Sequence, residues 1–133
     1  MKVVFTCLII TIANVTWFTH TNNQDLLNKW KGRIDYTCRD SSTQQSINKR
    51  KNVVQYEFKN DLCIIDDITI ITGYSPSTNH VEVKYKVEGD SIIWESNMIG
   101  ANVHFEFKGD DSLFLKGFDK GAECYSFAYL KKQ

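Results

Sequence analysis

Few groups in this chain are placed to do covalent or metal chemistry. Of the three histidines, His80 and His104 lie beyond the leader expected over 1–21. An imidazole acts as a general base only beside the nucleophile it deprotonates. His80 reads as a loop residue, and His104 alternates with Val103 and Phe105 on the charged side of a strand. Neither has a recognisable Ser or Cys partner. Asp66-Asp67 and Asp110-Asp111 are acidic pairs, but neither has the alternating oxygen ligands of a calcium loop, so both read as turn residues. Cys38, Cys63 and Cys124 lack any C-x-x-C or Cys–His spacing, which argues against zinc. The expectation is a non-catalytic protein without a metal or cofactor. Lys+Arg and Asp+Glu both number 16 and are interspersed, so no basic patch points to nucleic acid.

Apolar and aromatic side chains remain, and their spacing says how they are held. From His80 to Lys108, Val81, Val83, Tyr85 and Val87 alternate with Glu82, Lys84, Lys86 and Glu88. Period two puts one set on each face of a strand. Glu88-Gly89-Asp90 is a hairpin turn, Ile92-Ile93-Trp94 a second strand, and Val103, Phe105 and Phe107 the inner residues of a third. The same alternation gives Trp30, Ile34, Tyr36 and Cys38 on a first strand, then Val54, Tyr56 and Phe58. Leu62–Ile65 and Ile68–Thr72 read as two short strands parted by Asp66-Asp67, with a loop over Tyr74–Asn79. Leu113–Leu115 and Cys124–Leu130 complete eight or nine short strands, with turns about every 8 to 12 residues. An antiparallel meander with one wet face must cover its apolar face, so the class is an all-β sandwich or barrel.

Lys2 followed by the apolar run Val3–Phe18 is too short and too interrupted by Thr and Asn for a comfortable membrane span. It reads as a signal peptide over 1–21, with an uncleaved anchor as the alternative, leaving a domain over 22–133 with no span of its own. The expected location is secreted or periplasmic. Arg39–Lys51 is polar and aperiodic, a long loop.

Leu26-Leu27-Asn28-Lys29-Trp30-Lys31-Gly32 resembles the first-strand marker of the lipocalin-like (calycin) barrels. The rhythm Tyr85-Lys86-Val87-Glu88-Gly89-Asp90-Ser91-Ile92, then Phe105-Glu106-Phe107 and Asp111–Leu115, is similar to the small bacterial members of that group. The resemblance departs in one place: Asn28 stands where a Gly is usual, and Gly32 follows the Trp instead. It implies an antiparallel up-and-down barrel closed at one end by Trp30. Fatty-acid-binding relatives grip a carboxylate with Arg-x-Tyr on late strands. Here Arg33, Arg39 and Arg50 are all early, so that clamp does not carry over.

A barrel sets the first and last strands side by side and antiparallel, so Cys38 comes near Cys124. That pair is the favoured disulfide, with Cys63 bonded to either, or three buried thiols, as the alternatives. Trp30, Tyr36, Tyr56, Phe58, Tyr85, Trp94, Phe105 and Phe107 would converge inside and are the candidate ligand-binding residues. An eight-stranded barrel either fills its interior or keeps room for one small molecule. The expected partner is therefore a small apolar or amphipathic ligand. The alternative is a filled barrel acting as a protein-interaction module, such as an inhibitor or an envelope-assembly factor. The last strand leaves a choice open. Either Tyr125, Phe127 and Tyr129 point inward and Cys124 outward, or an apolar patch lies outside.

Overall fold

The computed structural model describes residues 23–39, 50–71, 74–96, 102–120 and 123–133. The leader expected over 1–21 and most of the loop after Arg39 lie outside the described residues. A four-residue helix, α1 (Asn23–Leu26), precedes eight strands: β1 (Lys29–Cys38), β2 (Arg50–Phe58), β3 (Leu62–Ile71), β4 (Ser77–Glu88), β5 (Ser91–Trp94), β6 (Val103–Phe107), β7 (Ser112–Asp119) and β8 (Cys124–Lys132). Each pairs with the next, and β8 returns to β1, so the sheet is a closed barrel. The closing seam runs from Trp30↔Lys132 to Cys38↔Cys124, all antiparallel. Closure leaves no sheet edge along this seam and turns one face of every strand inward.

The two ends differ. The turns β2–β3, β4–β5 and β6–β7 lie at the end where β1 starts, here the base. Gly89 and Gly109 supply the left-handed backbone that two of those turns need. Leu26, carried by α1, and Trp30 are sealed into the base, and the Trp30 indole Nε1 donates to the Leu26 carbonyl at 3.0 Å. Phe58, Cys63, Ile92, Phe105, Leu113 and Leu130 fill the space around them. Each such side chain contributes about 1.5–3 kcal/mol by leaving water. Gly32 lets β1 lie against β8: a Cβ there would stand 1.8 Å from the Tyr129 carbonyl oxygen. The remaining connections lie at the opposite end, the mouth.

At the mouth, Cys38 and Cys124 form a disulfide with Cα atoms 4.1 Å apart, and Cys63 is left as a buried free thiol. Such a bond belongs to an oxidising, extracytoplasmic compartment. Among the described residues, no helix is long and apolar enough to cross a membrane.

Two expectations need correction, and one open choice is settled. Asp66-Asp67 do not break a strand: β3 is continuous, which makes eight strands rather than nine. The β-branched flanks Ile64-Ile65 and Ile68-Thr69 keep it extended, and Asp66 bonds across the ladder to its register partner His80. His80 is accordingly a strand residue, and the expected loop shortens because β4 begins at Ser77. The last strand turns its small side chains Cys124, Ser126 and Ala128 inward. Tyr125 and Tyr129, on the outer face, are 44% and 53% exposed. With Phe114, Phe118 and Phe127 they form an external aromatic ribbon, and the Lys116 ammonium lies 5.5 Å from the Tyr125 ring centre.

A candidate ligand site in the barrel lumen

The eight aromatic residues singled out above all face inward, at three levels. At the base, Trp30 meets Phe107 at 5.9 Å between ring centres, and Phe107 meets Phe105 edge-on. Above them Phe58 touches Tyr85, Trp94 and Tyr56, the last by near-parallel stacking. Tyr36 stands nearest the mouth. Trp30, Phe58, Tyr85, Trp94 and Phe105 are buried, so they form the floor of any cavity. The Tyr85 hydroxyl donates to the Lys59 carbonyl, so this protein group already satisfies it. Burial is the main reason its ionisation is pushed up to about 12.

Toward the mouth, inward-facing side chains are only half-buried. Ile34, Tyr36, Asn52, Ile65, Asp67 and Thr69 all retain accessible surface. Val81, on the inner face of β4, is 38% exposed. Inward-facing side chains that keep accessible surface are where a small molecule could be met.

Two residues of this lumen are polar and escaped the sequence reading. Asn52 pairs with Thr69, and Val54 with Asp67, so Asn52 and Asp67 lie on neighbouring strands one rung apart. Asn52 hydrogen-bonds the Tyr36 phenol. The Oδ1 atoms of Asn52 and Asp67, and the Nε1 of Trp94, are buried without a partner. Native interiors leave few such groups, because each costs about 1–3 kcal/mol. Burial raises the Asp67 carboxyl above its ordinary range. Burial, then the Asp67 charge, raises Tyr36 against the opposing Asn52 hydrogen bond, and burial raises Tyr56 further. The signal for Asp67 was its parity with Cys63, Ile65 and Thr69, unbroken through the acidic pair.

The other polar clusters lie on the outer wall. His80 Nδ1 is 2.6 Å from Asp66, and His104 shares an edge with Ser91 and Asp90. Among the described residues no three His, Cys, Asp or Glu side chains converge on one metal position. A cleft of about 600 Å³ lined by Thr37, Cys38, Arg39, Phe118, Lys120, Glu123 and Tyr125 is also external, beside the disulfide.

Against known proteins, the sequence matches no family model and no curated protein. The structure is similar to that of the siderocalin Ex-FABP, with a TM-score of 0.55 and 10% identity over 82% of this chain and 74% of that one. The fold is a lipocalin-like barrel. At 10% identity the likeness extends to architecture alone: eight antiparallel strands, up and down, closed on themselves. Ex-FABP is described as working through dual ligand specificities.

Proposed function

We propose that the protein is a secreted or periplasmic, non-catalytic carrier that holds a small amphipathic molecule in its lumen. The mature domain would span 22–133, after removal of a signal peptide over 1–21. One observation carries this reading: the inward-facing Ile34, Tyr36, Asn52, Ile65, Asp67, Thr69 and Val81 keep accessible surface beside a buried aromatic cluster. Tyr36 and Tyr56 form the walls, and Phe58, Tyr85, Trp94, Phe105, Phe107 and Trp30 form the floor. The ligand specificity described for Ex-FABP agrees with a binding role.

The test is native mass spectrometry of protein purified from its source, paired with titration of the neutral dye N-phenyl-1-naphthylamine. A co-purifying small-molecule mass and saturable dye binding that quenches Trp94 are expected. A bare mass with no dye binding refutes the lumen reading.

A second reading is favoured by the external ribbon of Phe114, Phe118, Tyr125, Phe127 and Tyr129, which a carrier does not need. On this reading the barrel is an interaction module whose β7–β8 wall meets a protein. Tyr129→Ser would then abolish association while leaving dye binding intact.

A further inference from the structure

We propose that the lumen is specific for a small organic cation, a primary alkyl- or arylalkylammonium, whose head meets Asp67 and Asn52 and whose body lies along Tyr56. This rests on the lumen reading above and names its ligand class.

Three observations carry it. First, Asp67 is a half-buried carboxylate on the inner face, whereas Asp119 at the β7 rim and Lys132 at the opposite end share that face's parity but are exposed. Its neighbour Asp66 points outward and has His80, whereas Asp67 makes no salt bridge among the described residues. A lone carboxylate in a low-dielectric space is costly, and a cation relieves that cost. Second, the unpartnered atoms near the mouth are both acceptors, Asn52 Oδ1 and Asp67 Oδ1. The buried Asn52 oxygen, like that of Asp67, needs a donor. The two residues are diagonal neighbours in the β2–β3 ladder, with Cβ atoms roughly 7 Å apart. An ammonium offers three donors and no acceptor, which fits this pair; a carboxylate ligand would bring only acceptors and a second negative charge. Third, aromatic faces lie on the same path, with Tyr56 stacked on Phe58 and Phe58 on Trp94. Such faces suit both an organic cation and its apolar body.

The experiment is isothermal titration of the intact, disulfide-bonded protein near pH 7 with three probes of similar body: 2-phenylethylamine, 2-phenylethanol and 3-phenylpropanoate. The amine should bind roughly tenfold to a hundredfold more tightly than the alcohol, as expected of a charge-assisted hydrogen bond, and the carboxylate should bind most weakly. Asp67→Asn should erase the preference for the amine over the alcohol. If wild-type protein binds amine and alcohol equally, water satisfies the two acceptors and the inference fails while the lumen reading stands. That comparison needs no variant. Retained amine preference in Asp67→Asn likewise overturns the role of Asp67. If none of the three probes binds and N-phenyl-1-naphthylamine does not either, both readings fall.

Discussion

Replacing Cys38 and Cys124 together with Ser gives the most quantitative check on the architecture. The bond spans a sequence separation of 86 and ties the start of β8 to the end of β1. Chain entropy for a loop of that length gives about 15 cal/mol/K, or about 4.6 kcal/mol at 25 °C. A domain of about 110 residues unfolds with an entropy of about 230 cal/mol/K, so the double variant should melt about 20 °C lower. Calorimetry on wild type and variant, with Cys63 kept reduced, reads this directly. Urea unfolding should also show a larger m-value in the variant, because an uncrosslinked chain exposes more surface when unfolded. A drop under about 5 °C with an unchanged m-value would refute the reasoning. The seam from Trp30↔Lys132 upward would then hold the barrel without help from the bond, and the unfolded chain would already be compact.

Three further outcomes follow from particular contacts. Trp30→Ala removes the sealed base and its hydrogen bond to Leu26, and should cost about 3–5 kcal/mol in urea unfolding. Gly32→Ala puts a Cβ onto the Tyr129 carbonyl, so β1 and β8 must part. It should destabilise by about 1–3 kcal/mol, with faster amide exchange along the seam than at β2–β3. The His80 imidazole should titrate above 6.5 by NMR, raised chiefly by its hydrogen bond to Asp66 and then by Glu82, and Asp66→Asn should bring it down. The raised value means that the protonated ring favours the fold. This contribution is complete below pH 6.5 and fades as pH rises through the folded value. Because His80 is exposed, global stability should change little with it.

How much of this was legible beforehand depended on which physical signal each residue carried. Alternation exposed the inner face, because a half-buried strand cannot hide a period of two: Trp30, Ile34 and Tyr36 face inward, as do Val83 and Tyr85. Cys38 and Cys124 could be paired because barrel closure brings chain ends together, a topological rather than a local fact. Asp67 was misread because an acidic pair resembles a turn when seen alone. What keeps it in a strand is non-local, namely the β4 ladder and the His80 side chain opposite Asp66. The choice of face for Tyr125 and Tyr129 was similarly undecidable from β8 itself. It was settled by Ala128 and Leu130, whose burial against β1 and β7 leaves no room for rings on that side.

Trp30 stoppers one end of the molecule, and this gives any guest a direction of travel. On the proposed reading, a guest would pass the rim near Tyr36 and Asn52, so a compound with a greasy tail would enter tail-first and back out head-first. Both rates are then governed by the same doorway. A substitution beside that rim which leaves Tyr36, Asn52 and Asp67 in place would lengthen or shorten residence without changing how much guest is held at equilibrium.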